Sequence, residues 1–244
     1  MKFLILASMV LAIASISCGN KNSFDCDSPT AGVPCNPRTK DEDARIALDK
    51  GDMATAVAIL RELVSNEPEV YSRYPLFSAA LAGKSGFDIF NVMNGSFGGD
   101  SSLLQSMGSF IPTPASKGSA FEASLADMKE SVAVLNSIPI SLRASVDSGK
   151  FASSCILQLT LYQAAYSIML MNKYSYSEIG FDPSKLSTMT AEDAAAILQS
   201  LLSAASANPD SPAATSVNAA YESIQGQPGA TDQEKISAYI LANQ

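Results

Sequence analysis

Histidine is missing from all 244 residues, and so is tryptophan. The first absence excludes more. Histidine is the commonest general base near neutral pH and the commonest metal ligand. Without it, Ser-His-Asp and Cys-His catalysis are ruled out, as are histidine-based zinc sites. Basic residues are also scarce: 16 Lys and Arg stand against 24 Asp and Glu, a formal net charge of −8. Such a chain repels phosphate backbones, which argues against nucleic acid as a partner. The same balance argues against a grip on anionic lipid through basic patches. With 14 Gly and 12 Pro the chain has too little of either to be low-complexity. Short alternating runs rich in Val, Ile and Thr are missing too, so no stretch reads as a convincing strand.

What is present is apolar and helical in period. Hydrophobic residues make up 47% of the chain, enough for a sizeable core. The clearest pattern lies in residues 41–68. Met53, Ala56, Val57, Leu60, Leu63 and Val64 fall on one helical stripe, and Ala44, Ala47 and Leu48 mark a shorter one upstream. Gly51-Asp52 separates the two, and Pro68 stops the second. This predicts an antiparallel helix pair joined by a tight turn. Such a pair cannot bury its apolar faces alone, so more helices must follow.

Residues 1–17 read as a signal peptide. Lys2 supplies the positive start, and Phe3 to Ile16 form an apolar core too short to span a bilayer as a helix. Ser15 and Ser17 satisfy the small-x-small rule of ordinary cleavage before Cys18. The same residues, Ser15-Ile16-Ser17-Cys18, resemble a bacterial lipobox, with Ser15 where that pattern usually has Leu. Counting the 4 cysteines favours lipidation of Cys18: otherwise a free thiol opens an exported protein. Acyl chains on Cys18 anchor the chain to a membrane. Residues 18–40 then form a polar tether with Pro29, Pro34 and Pro37. Cys26 and Cys35 lie close enough to close a small disulfide loop; the alternative is a two-thiolate metal site recruiting Asp25 or Asp27. Gly19 stands where inner-membrane lipoproteins of enteric bacteria usually carry Asp. That resemblance implies the outer membrane, with the folded part in the periplasm or at the cell surface.

Residues 41–244 read as one all-α domain, an irregular bundle of antiparallel helix hairpins. Further helices are expected over 71–82 (face Leu76, Ala79, Ala80), 86–93, 103–110, 119–136 (Phe121, Leu125, Met128, Val132, Leu135) and 141–148. Residues 151–171 carry no charge and approach the length of a membrane span. Gln158, Thr160 and Gln163 argue instead for the central helix of the core, with Cys155 a buried small residue lacking a basic neighbour. Thr190 opens the next helix in a weak capping box with Asp193, and Ala194, Ile197, Leu198, Leu201 and Leu202 supply its face. Two more helices are expected over 213–224 and 232–242.

Residues 50–68 resemble the second helix of a tetratricopeptide repeat. Gly51, Asp52, Ala56, Val57, Leu60, Leu63 and Pro68 take family positions, with Met53 where the aromatic usually sits. In the preceding helix Ala44 fills the small position and Asp43 stands where Leu is expected. The match covers one repeat well, and no 34-residue period is sustained. The resemblance implies a helical hairpin stack that holds a peptide or partner protein at a bacterial envelope. The expected function is thus a non-catalytic lipoprotein scaffold without cofactor. Two alternatives stand beside it. One is an apolar-ligand carrier of a transport system, with Phe87, Phe90, Phe97, Met107 and Phe110 lining its pocket. The other is an enzyme: Ser177 to Pro183 resembles the Glu-Ser-x-Phe-Asn/Asp-Pro segment of lytic transglycosylases, which implies Glu178 as acid/base, with Ser187 near a family position. Ile179 replaces the family's serine, and its Gly-Leu-Met-Gln segment is absent.

Overall fold

The computed structural model describes residues 39–87, 111–143 and 149–243. Cys18, Cys26, Cys35, Phe90, Phe97, Met107 and Phe110 lie outside the described residues, as do the signal peptide, nearly all of the tether, the helix expected over 103–110 and all but the first two residues of that expected over 86–93. What is described is all-α, save for one small hairpin.

The first two helices form where the periodicity placed them. Helix α1 (Lys40–Asp49) opens on a capping box: the Thr39 hydroxyl accepts from Glu42 N, and Glu42 reaches back to the Thr39 N–H at 2.8 Å. Asp41, Glu42 and Asp43 crowd its first turn, where the helix dipole favours carboxylates. Gly51 turns the chain at φ +74°, and Asp52 caps α2 (Met53–Asn66) by accepting from Thr55 N. Ala44 and Ala56 have no exposed surface, which lets the two axes approach.

A 3-10 turn (Tyr71–Arg73) leads into α3 (Tyr74–Ser85), which Gly86 closes in the left-handed conformation at φ +93°. Here the structure corrects the expected face. Phe77, Ala80 and Leu81 are buried toward α2, while Leu76 and Ala79 are only half-buried. Ser78 and Ser85 are also fully buried. The reason is position: α3 packs against α2 on one side and α5 on the other, so it has no single wet face to leave a period in the sequence.

Short α4 (Pro114–Lys117) and a 3-10 turn precede α5 (Phe121–Asn136). The expected stripe of α5 is found, with Phe121, Leu125, Met128 and Leu135 buried and Val132 half-buried. The α3–α5 crossing is fixed by two serines. Ser78 Oγ donates to Ser131 O at 2.9 Å, and Ser131 Oγ donates to Ser78 O at 2.9 Å. Only small side chains permit so close a crossing. Short α6 (Ile140–Arg143) follows.

Helix α7 (Gly149–Ser175) is the centre of the larger core. Among the described residues it is the helix long and apolar enough to cross a membrane; 78% of that window is buried inside the protein. It packs on α5, on α8 (Ala191–Ala207), and on α9 (Pro212–Gln225) and α10 (Asp232–Ala242). Leu161, Ile168, Met169, Leu170 and Met171 are all essentially fully buried. Full burial of each such side chain stabilises the fold by about 1.5–3 kcal/mol. Three of its buried hydroxyls bond within the helix: Thr160 donates to Ile156 O, Ser167 to Gln163 O and Ser175 to Met171 O. Asn172 Nδ2 donates to Pro112 O at 3.2 Å, fastening the chain before α4 to the core. Cys155 is buried and unpaired.

The last three helices begin on hydroxyl caps, Thr190, Ser211 and Thr231. Thr190 accepts from Asp193 N, but Asp193 does not return the bond as a capping box would; its carboxylate is turned toward α7. Leu202 is a second correction on α8: it is 47% exposed, whereas Ile197 and Leu201 are fully buried. Leu202 sits at the flank of the stripe and faces past its neighbours.

Candidate functional site

The end of α7 delivers the chain into a hairpin that the sequence pattern did not announce. Strand β1 (Tyr176–Ser177) pairs antiparallel with β2 (Gly180–Phe181), Tyr176 opposite Phe181. Two-residue strands carry no readable alternation. The Tyr176 and Phe181 rings meet edge to face at 5.8 Å, and Gly180 takes φ +131°. Glu178 and Ile179 are left at the tip, and Ile179 is 99% exposed.

Beside this hairpin an open cleft of about 400 Å³ is formed. Pro114 of α4 and Gly118 and Ser119 of the following turn line it, with Phe121 and Glu122 from the start of α5. Lys173, Ser177, Glu178 and Lys185 complete it. The cleft thus draws on segments some sixty residues apart in the chain, and no local motif could have marked it. Asp182 caps a 3-10 helix (Pro183–Thr188), and Lys185 Nζ from that helix donates to Tyr176 O at 2.6 Å.

The charged groups differ in how far they are committed. Lys173 Nζ donates to Asp193 Oδ2 at 3.2 Å, and the Tyr174 hydroxyl donates to the same oxygen. Partial burial pushes the Asp193 carboxyl up, but the Tyr174 hydroxyl and the Lys173 ammonium outweigh it and hold it below its ordinary value. Burial alone lowers Lys173, yet Asp193, with smaller contributions from Tyr174 and Glu122, raises it overall. Both groups therefore stay charged at neutral pH, and neither is poised to exchange a proton there. Glu122 and Glu178 are exposed, and neither makes a hydrogen bond or salt bridge to a described residue.

The other sequence-derived candidates fall elsewhere. Ser187 donates to Ser184 O within its 3-10 turn. Phe87 is buried, edge to face with Tyr162 at 5.7 Å. Cys155 does have a basic group within electrostatic reach, Arg143, contrary to expectation. Burial nevertheless dominates and pushes the thiol up to about 11. Among the described residues, no group of three or more Cys, Asp or Glu gathers to hold a metal ion.

The outer faces of the N-terminal helices carry a different kind of chemistry. Arg73, 11% exposed, grips Asp41 of α1 through two nitrogens at 2.8 Å and also bonds Glu67 at 2.9 Å. Arg61 bonds Glu130 of α5 at 2.7 Å, and Lys84 bonds Asp127 at 2.8 Å. These charges are spent holding helices to each other. No family model, no curated protein and no solved structure matches this chain, so its function rests on the geometry above.

Proposed function

We propose that the protein is a non-catalytic interaction module of a bacterial envelope, anchored through lipid on Cys18 and presenting its helices to a partner protein or peptide. The observation that carries this reading is the serial packing of α1, α2, α3 and α5, each laid against the next as in helical-repeat proteins. Small residues at the contacts, Ala44, Ala56, Ser78 and Ser131, keep the layers close. The net charge of −8 disfavours nucleic acid as the partner. Glu178 stands at an exposed hairpin tip rather than in an enclosed site that could exclude water from a reacting glycan, which counts against the glycan-cleaving alternative. Phe87, packed into the core against Tyr162, counts against its lining a ligand pocket.

Affinity capture from crosslinked envelopes, read by mass spectrometry, tests the proposal. One recurrent envelope partner is expected; capture no different from an untagged control sinks it. The anchor is tested separately. Cys18→Ser is expected to abolish incorporation of labelled palmitate and to release the protein from the membrane fraction. Unchanged labelling of that variant removes Cys18 as the lipidated residue.

A further inference from the structure

We infer that the hairpin tip and the adjoining cleft form a docking site for a basic, apolar peptide segment of a partner, an inference that rests on the interaction-module reading. Three observations converge there. Ile179 is 99% exposed and Phe181 38% exposed on the same hairpin. Gly180 supplies the positive φ of the turn, and Ile179 buries nothing that would account for an apolar side chain at that place. The neighbouring polar groups are unequal. Lys173 is matched by Asp193 and Lys185 by the Tyr176 carbonyl, while Glu122 and Glu178 have no hydrogen-bond or salt-bridge partner among the described residues.

The chemistry left open is therefore carboxylate beside aliphatic surface, in that order along Glu178-Ile179. Its complement is a segment in which Lys or Arg alternates with an apolar residue. Such a segment places its ammonium or guanidinium groups on Glu122 and Glu178 and covers Ile179 with its apolar side chain. The cleft of about 400 Å³, with Phe121 and Pro114 in its lining, takes one or two side chains. A lipid surface is the lesser fit, because inserting Ile179 drags the adjacent Glu178 carboxylate toward hydrocarbon.

The test is fluorescence anisotropy with a short labelled peptide of alternating Lys and Leu, titrated with the full chain. Ile179→Ser is expected to weaken binding about fivefold and the double variant E122Q/E178Q about tenfold. The control D210N/E222Q, which removes the same charge from elsewhere, is expected to stay within about twofold. All three groups are exposed, so thermal melts by circular dichroism should be unchanged. An equal loss in the control reduces the effect to net charge and overturns the proposal. So does equal binding of a Glu–Leu peptide, or Ile179-dependent binding to phosphatidylcholine vesicles in place of the peptide. In envelope capture, a partner recovered equally by wild type and the triple variant E122Q/E178Q/I179S overturns this site alone. Recovery of no partner by either overturns the module reading beneath it.

Discussion

The N-terminal layer of α1, α2 and α3 and the bundle around α7 are held together by different means. In the first, a narrow core of Ala44, Ala56, Val57, Leu60, Phe77 and Leu81 is flanked by ion pairs that tie one helix to the next. In the second, a helix uncharged from Phe151 to Met171 is enclosed by neighbours, and large apolar side chains fill the space between them. The two cores meet at Val64 and Val134, which pack against both. The contrast teaches where cohesion comes from. Thin layers of small residues gain close approach but little buried area, and peripheral ion pairs add modest energies that salt weakens. The α7 bundle relies on area, which salt scarcely changes.

The largest expected effect lies in the bundle. Ile168→Ala, at a fully buried site, is expected to destabilise the protein by about 4 kcal/mol in urea denaturation. Leu60→Ala in the smaller core is expected to cost about 3 kcal/mol. Hydrogen exchange sharpens the comparison: Leu60→Ala should release amides of α1 and α2 preferentially, whereas Ile168→Ala should release them throughout. Identical exchange patterns would show that the two regions unfold as one and erase the distinction.

The joint between the regions comes next. Ser131→Leu is expected to cost about 2 kcal/mol by forcing α3 and α5 apart, and Ser131→Ala about 1 kcal/mol for the lost hydrogen bonds. A leucine tolerated better than alanine would mean that the crossing is looser than the serine geometry requires.

Smallest is the polar contact at the mouth of the bundle. Asp193→Asn is expected to cost about 1 kcal/mol at pH 7, since the carboxylate is three-quarters buried beside Lys173 and Tyr174. The folded carboxyl sits below its ordinary value of 3.8. Its contribution is therefore fully present above that value and is lost as pH falls through the lower, folded value. The gap between wild type and Asp193→Asn should close under acid. A gap that persists there would assign the cost to packing instead.

Much of this fold was legible because local rules agree with one another. Residues 41–68 combine a cap, a glycine turn, one apolar stripe and a terminal proline, and both helices form there. The enclosed role of residues 151–171 followed from the glutamines in an uncharged run. Legibility failed where burial is two-sided or the element is too short. Helix α3 lies between two partners, so the expected Leu76–Ala80 face was only partly right. The hairpin at Tyr176 is set by Gly180 and by a Tyr–Phe contact, neither of which makes a period. Glu178 was singled out by a motif resemblance, while its neighbours in space, Glu122 and Lys173, were not. Those three residues come from different elements, and only tertiary packing brings them to one cleft.

The paired serines have a mechanical consequence. Each hydroxyl donates to the carbonyl of the other helix, so sliding α3 along α5 by one turn breaks both bonds at once and strands the polar groups in a dry interface. That crossing is locked against shear. Relative motion of α3 and α5 is thereby confined to rocking about the serine pair, with the two helices keeping their register and travelling as one piece.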